Sequence, residues 1–184
     1  MNDSETLIPA VSARDHMQGP DNAPVTLVEY GDYQCPYCGE AHPVVKQLQK
    51  ALGKKLRFVF RNFPLTRVHP YAWIAAEAAE AAALQGKFWE MHDFIFENQE
   101  MLEPEILPGW AKKLGLNIDQ FASAVRQPGI SKRIKEDEMS GMKSGVNGTP
   151  SFFINGVQYE GEQDYDSLRA ALLEEEASVR ESKG

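Results

Sequence analysis

Residues 25–38 read VTLVEYGDYQCPYC, and this stretch decides the fold. Its first six residues are mostly apolar and β-branched, which is typical of a central strand covered on both faces. An amphipathic helical pattern then begins at Pro36, where proline suits the first turn because no amide donor is missed. The chain has only two cysteines, and both, Cys35 and Cys38, lie where the strand is followed by the helix.

The position of these cysteines at the start of a helix favours redox chemistry. Amide groups and the helix dipole stabilise a thiolate at a helix N-terminus, and the thiolate is the form that attacks disulfides. We expect Cys35 to be the exposed nucleophile. Cys38, one turn further on, is expected to be the more buried thiol that resolves the mixed disulfide formed between Cys35 and a substrate.

Two other interpretations of the cysteine pair remain open. One is half of a zinc site, although the remaining candidate ligands, His16, His42, His69 and His92, have no zinc-finger spacing. The other is an inert structural pair, but two cysteines this close cannot staple a large fold. We predict no metal site and no cofactor other than the Cys35–Cys38 disulfide itself.

Length and charge restrict the class of protein further. A chain of 184 residues suits one sizeable domain, or one domain with a large insertion. A net charge of −8 argues against nucleic acid as a partner, and no apolar stretch is long enough for membrane insertion. We expect a monomer. The first 19 residues lack the features of a signal peptide, so a cytoplasmic location is expected, or a periplasmic or extracellular one if a leader was removed.

The rest of the chain follows a recognisable order of elements. A helix over 36–52 and a strand over 56–63 complete a strand–helix–strand unit, which implies a right-handed parallel crossover. Helical patterns then cover 71–84, 87–99, 105–114, 119–125 and 131–144. Asn155-Gly156 between two β-prone runs predicts a hairpin over 151–159, and Asp164 is positioned to cap a last helix.

This layout, together with several motifs, resembles the DsbA-like members of the thioredoxin superfamily from about residue 24 to about residue 172. The matching pieces are Cys35-Pro36-Tyr37-Cys38, Glu29, Pro43, Phe60-Arg61-Asn62-Phe63-Pro64-Leu65, Gly86-Lys87-Phe88-Trp89 and Gly148-Thr149-Pro150. The resemblance implies an α/β thioredoxin fold with an inserted all-helical domain. The predicted divisions are a flexible lead-in at 1–22, a thioredoxin-like domain at 23–65 and 146–177, a helical insertion at 66–145 and a frayed tail at 178–184.

The resemblance also implies roles for residues outside the cysteine pair. It implies a cis bond at Thr149-Pro150 and a loop there that presents the backbone of Thr149 to an extended substrate. Glu29 matches the buried acid that is proposed in this family to aid proton transfer at the resolving thiol. The alternative is a solvated Glu29 facing an edge of the sheet. Asp32 lies in the loop and is expected to be solvated.

The two residues between the cysteines are expected to tune the redox potential. The best-known DsbA pattern has a positive or donor-bearing histidine where Tyr37 stands, and Tyr37 offers no charge. The Pro36-Tyr37 pair is instead similar to that of glutaredoxins, so we expect an intermediate potential rather than that of a strong oxidant.

These features predict a thiol–disulfide oxidoreductase that acts on protein or peptide dithiols and disulfides and is recycled by an unidentified redox partner. A second hypothesis is a redox-switched binding module or chaperone-like protein that uses the dithiol as a sensor and the helical block as its interface. A third is a glutathione-linked transferase on the same fold. The second thiol argues against the third hypothesis, because such enzymes usually dispense with it.

Overall fold

A computed structural model describes residues 6–183, which form a mixed five-stranded sheet and seven α-helices. The strands are β1 (His16–Gln18), β2 (Val25–Gly31), β3 (Leu56–Asn62), β4 (Ser151–Ile154) and β5 (Val157–Tyr159). The helices are α1 (Pro36–Leu52), α2 (Ala72–Ala83), α3 (Phe88–Glu97), α4 (Leu107–Lys113), α5 (Ile118–Val125), α6 (Pro128–Lys143) and α7 (Tyr165–Ser182). Residues 1–5 of the predicted lead-in and residue 184 of the predicted tail lie outside the described residues.

The sheet has the strand order β1-β3-β2-β4-β5, which places β2 at its centre. All seven residues of β2 are buried, so the prediction of a central strand covered on both faces is confirmed. Three of the four neighbouring strand pairs are antiparallel. Because the sheet is mixed, the remaining pair, β2 with β3, is the parallel one, as the predicted strand–helix–strand crossover requires.

The hairpin between β4 and β5 forms at the predicted turn. Asn155 and Gly156 both have positive φ values, 47° and 84°, which is the backbone that a two-residue hairpin turn needs and that asparagine and glycine tolerate. The side chain of Asn155 also fixes the turn to β2, because its Oδ1 accepts a hydrogen bond from the amide of Thr26 at 2.8 Å. The predicted cap at Asp164 is confirmed, since its carboxylate accepts from the Ser167 amide at 3.0 Å.

The described part of the lead-in is not a loose segment. Residues 16–18 form β1, which pairs with β3 and lies at one edge of the sheet. Asp15 and Arg61 form a buried ion pair, with Nε to Oδ1 at 2.8 Å, that ties this segment to β3. Arg61 also donates to the Tyr30 hydroxyl at 2.9 Å. The flexible lead-in predicted for 1–22 therefore does not describe residues 15–18, which are held by strand pairing and by a buried ion pair.

The tail also differs from the prediction. Helix α7 continues to Ser182 rather than fraying from residue 178. Within residues 6–183, every helix is too short or too polar to span a lipid bilayer.

The chain divides into two compact units. Among the described residues, the sheet unit comprises 6–30, 40–61 and 140–183, and the helical unit comprises 31–39 and 62–139. The predicted insertion at 66–145 covers most of the helical unit. The residues that lead into the cysteine pair, and the pair itself, also belong to the helical unit, which the sequence did not predict.

In the helical unit, α2 packs against α3, α4 and α5. Its alanines are largely buried, and their small side chains permit this close packing of several helices on one. The predicted helices are present with bounds that shift by up to three residues. The largest shift is at α6, which begins at Pro128 instead of residue 131 because proline is accepted in a first helical turn.

The helical unit also buries two carboxyl groups around one amide. The side-chain Nδ2 of Asn62 donates to Glu80 at 2.8 Å and to Asp137 at 3.1 Å. The main-chain amide of Asn62 also donates to Asp137. Burial raises the pKa of Asp137 above its usual 3.8, and the nearby Glu80 carboxylate raises it further, while Arg133 and Asn62 oppose the shift.

This raised pKa predicts a pH-dependent loss of stability. A carboxyl with a raised folded-state pKa contributes fully below its ordinary pKa, and that contribution disappears as the pH rises through the raised value. We expect Asp137→Asn, which keeps an acceptor for Asn62, to flatten the fall in unfolding free energy that sets in as the pH rises above 3.8. Urea unfolding at several pH values checks this, with the exposed Asp119→Asn as control. Equal slopes in Asp137→Asn and the wild type would contradict it.

Candidate active site

Cys35 and Cys38 lie at the start of α1. Cys35 directly precedes the helix, which begins at Pro36 as predicted. Cys35 is 3% exposed and Cys38 is 0% exposed. Burial of the second thiol is therefore confirmed, whereas the expectation that Cys35 is exposed is wrong.

The main chain of Cys35 is covered by Gln99, which belongs to a short 3₁₀ turn after α3. Its Nε2 donates to the carbonyl oxygens of Tyr33 at 2.9 Å and Cys35 at 2.8 Å. Gly39 makes room for this contact, because a Cβ at that position would overlap the Gln99 amide. This cover is a physical reason for the burial of Cys35, and it comes from a residue 64 positions away in the chain.

Asp32 bonds main-chain amides just before the first turn of α1. It is 1% exposed, so the expectation of a solvated loop residue is wrong. Its Oδ1 accepts from the amides of Gln34 at 2.7 Å and Cys35 at 3.1 Å, which is the pattern of a side chain that caps a helix. Asp32 can be buried because protein donors replace the water that would otherwise solvate its carboxylate.

The second carboxylate oxygen of Asp32 faces the segment that follows β3. This Oδ2 accepts from the Leu65 amide at 2.8 Å and lies 2.8 Å from Nδ1 of His69. The Asp32 amide donates to Sγ of Cys38 at 3.5 Å. One buried residue therefore contacts Cys35 through its side chain and Cys38 through its main chain.

Sequence reasoning missed the Asp32 and His69 pair. Asp32 could have been found, because an aspartate side chain just before a helix often accepts from the amides two and three residues further on. The sequence offers His69 only as a candidate zinc ligand. It carries no local signal, since its partner lies 37 positions earlier in the chain.

The residues between the cysteines are at the surface of the helix start. Pro36 is exposed and Tyr37 is 68% exposed. Their accessibility is compatible with contact to an approaching molecule, and the redox tuning expected of them stays a prediction.

Glu29 lies in β2, opposite Phe152 of β4, and is 2% exposed. The buried position that the resemblance implied is therefore confirmed, and the solvated alternative is wrong. Glu29, Thr149 and Pro150 belong to the sheet unit, whereas the two cysteines belong to the helical unit.

The Thr149–Pro150 bond is cis, as predicted. It directly precedes β4, whose first residue, Ser151, is paired with Tyr30. Ser151 donates from its hydroxyl to the Gly148 carbonyl at 2.7 Å, which fixes the loop around the proline.

A family model described as Thioredoxin (Thioredoxin_4) matches residues 12–174, and the chain belongs to this family. The solved structures point to DsbA-like thiol–disulfide oxidoreductases of the thioredoxin superfamily. A thioredoxin-like oxidoreductase from Silicibacter pomeroyi is 26% identical, with a TM-score of 0.77 over 92% of this chain and 94% of that one. BdbD from Bacillus subtilis, in its oxidised form, is 25% identical, with a TM-score of 0.79 over 89% of this chain and 93% of that one. The α-DsbA1 of Wolbachia pipientis, at 19% identity and a TM-score of 0.84 over 95% and 96% of the two chains, shows the shared fold.

Curated relatives carry a different name. A protein of Salinispora arenicola named Na(+)/H(+) antiporter NhaA 1 is 46% identical over 176 residues, which are 96% of this chain and 27% of that protein. A protein of Salinispora tropica named Na(+)/H(+) antiporter NhaA 3 is 45% identical over the same share of each chain. The chain thus spans about a quarter of the length of these relatives.

Proposed function

We propose that this protein is a thiol–disulfide oxidoreductase that exchanges disulfides with protein or peptide substrates through Cys35 and Cys38. The observation that carries the proposal is the cysteine pair at the start of α1, held by the buried Asp32 through the main-chain amide of Cys35 and the sulfur of Cys38. Membership of the thioredoxin family and the two oxidoreductase structures at 25% and 26% identity support it.

The exchange proceeds in two displacements. The Cys35 thiolate attacks one sulfur of a substrate disulfide, which breaks the substrate S–S bond and releases a substrate thiolate that takes up a proton. Cys38 then loses its proton and attacks the Cys35 sulfur of the mixed disulfide, which forms the Cys35–Cys38 bond and releases the second substrate thiol. The substrate gains two electrons and two protons, and the protein loses them.

The same steps in reverse oxidise a substrate dithiol. The direction depends on the potential of the compartment and on a redox partner that recycles the protein. We propose net reduction or redox sensing if the protein works in the cytoplasm, and oxidation or shuffling if it works outside it. The dithiol requires no further cofactor in either direction.

Three residues of the sheet unit have proposed supporting roles. The backbone of Thr149, beside Pro150, would pair with an extended substrate segment as an added strand. Glu29 would assist proton movement at the resolving thiol. Burial disfavours the ionised form of a carboxyl, so a carboxyl that gives up its proton there readily takes one back.

A second candidate function is favoured by one specific observation in the helical unit. A cavity of about 410 Å³ opens at the surface of this unit, and most of its lining is apolar. The lining includes Ile74, Leu107, Ile118, Phe121 and Val125. A redox-switched binding module or chaperone-like protein would use such a surface to hold a partner and the dithiol as its sensor.

Insulin reduction separates the two functions. The wild type, supplied with dithiothreitol, should accelerate the reduction and precipitation of insulin through many turnovers. The control is Cys35→Ser, which keeps the shape of the residue but lacks the nucleophilic sulfur. A wild type that reduces insulin no faster than dithiothreitol alone would contradict the enzyme. If that inactive protein instead suppressed the aggregation of insulin chains in only one redox state, the binding module would be supported.

A further inference from the structure

The buried carboxylate of Asp32 creates an electrostatic problem for the dithiol. The Asp32 carboxylate accepts a hydrogen bond from the Cys35 amide, which is neutral and does not cancel the negative charge of the carboxylate. The main-chain amide of Asp32 donates to the Cys38 sulfur. A negative charge held beside a thiol disfavours the thiolate, because like charges repel strongly where water is scarce. A thiol–disulfide exchanger needs the opposite effect.

His69 supplies a compensating group. Its Nδ1 is 2.8 Å from Oδ2 of Asp32, and an ionised carboxylate can only accept, so Nδ1 donates. Within residues 6–183, His69 is the only ionisable side chain in hydrogen-bond contact with the Asp32 carboxylate. The other donors to that carboxylate are the neutral amides of Gln34, Cys35 and Leu65.

The two side chains of the Asp32–His69 pair differ in their exposure to solvent. The His69 side chain is 19% exposed, whereas that of Asp32 is 0% exposed. The imidazole therefore reaches solvent while the carboxylate remains buried. Imidazole is the side chain that most readily changes its charge near neutral pH.

We propose that His69 is a positioning residue of the dithiol site that holds the Asp32 carboxylate and offsets its charge beside Cys35 and Cys38. This inference rests on the proposed exchange function. A protonated imidazole at this position favours the thiolates that appear when the Cys35–Cys38 bond opens and accepts two electrons. It therefore makes the reduced state more stable and the disulfide form a stronger oxidant.

The chain offers a matched pair of variants for the test. His69→Asn places an amide donor where Nδ1 lies and keeps the hydrogen bond without the ionisable ring, while His69→Ala removes both. His16→Asn, in β1 of the sheet unit, makes the same chemical change elsewhere. Alkylation of reduced protein by iodoacetamide, located at Cys35 by mass spectrometry, is followed from pH 5 to pH 9 in each variant.

At pH 6 we expect Cys35 in His69→Asn to be alkylated about tenfold more slowly than in the wild type. In glutathione buffers at pH 6, the equilibrium should move about tenfold toward the protein disulfide, or about 30 mV for two electrons. His16→Asn should follow the wild type in both measurements.

A His69→Asn protein that matches the wild type in pH profile and in glutathione equilibrium would overturn the inference. So would a loss of thermal stability in both His69 variants with unchanged redox behaviour, since this would leave His69 a purely structural role. If the wild type failed to exchange with glutathione at all, the proposed function would fail. The alkylation profile of the reduced thiol would still decide the role of His69.

Discussion

Replacing Cys35 with serine should lower the rate of insulin reduction above the background of the reductant alone by at least roughly a thousandfold. A serine hydroxyl is almost fully protonated at neutral pH and forms no disulfide, so the first displacement cannot begin. Because the side chains are nearly the same size, the variant should fold normally, and its circular dichroism and thermal unfolding should match the wild type.

Cys38→Ser is the matched control for this result. It keeps the attacking thiol and removes the resolving one, so the first displacement occurs and the second does not. A mixed disulfide between Cys35 and the substrate should accumulate and appear as one added substrate mass. Retention of more than a tenth of the wild-type rate in Cys35→Ser would assign the attack to another group and reject the proposed order of events.

Asp32→Ala should be the most destabilising substitution near the cysteine pair. It removes the acceptor for the amides of Gln34, Cys35 and Leu65 and for the His69 ring. Buried donors left without an acceptor cost about 1–3 kcal/mol each, and removing one partner of a buried ion pair costs about 3–5 kcal/mol. These terms overlap, so we expect a loss of about 3–5 kcal/mol in the free energy of unfolding.

Urea unfolding at pH 7 measures this loss, with an unchanged m-value as the sign that both states remain comparable. Asp32→Asn should lie between the alanine variant and the wild type, because its amide oxygen still accepts from the helix start. The exposed Asp119→Ala should stay close to the wild type. A loss below about 1 kcal/mol in Asp32→Ala would mean that water replaces the carboxylate at little cost.

Much of the fold could be predicted from local patterns. The apolar run at 25–30 has no polar face, so it had to be a covered central strand, and the structure places it in the middle of the sheet. Asn155-Gly156 specified its turn because few residues tolerate positive φ, and the observed strands match the predicted hairpin. The helix start at Pro36 followed from similar stereochemistry.

The site could be predicted only in part. The cysteine pair and the cis proline carry recognisable motifs, but the burial of Cys35 and Asp32 depends on Gln99, Leu65 and His69, which lie 33 to 64 positions away. Periodicity and composition report local preference and cannot report such distant hydrogen bonds. The β1 strand was missed for the same reason, because His16–Gln18 is too short and polar to read as a strand without its partner.

The pairing of β1 with β3 has a consequence for the solubility of the protein. Phe58, Val59 and Phe60 of β3 are paired with Gln18, Met17 and His16 of β1, so this apolar segment does not form an exposed edge strand of the sheet. An exposed edge strand rich in apolar residues offers unpaired main-chain groups with which other chains can pair and aggregate. The short polar β1 therefore covers the edge of β3 and disfavours self-association of the protein, and the buried Asp15–Arg61 pair holds β1 in this position.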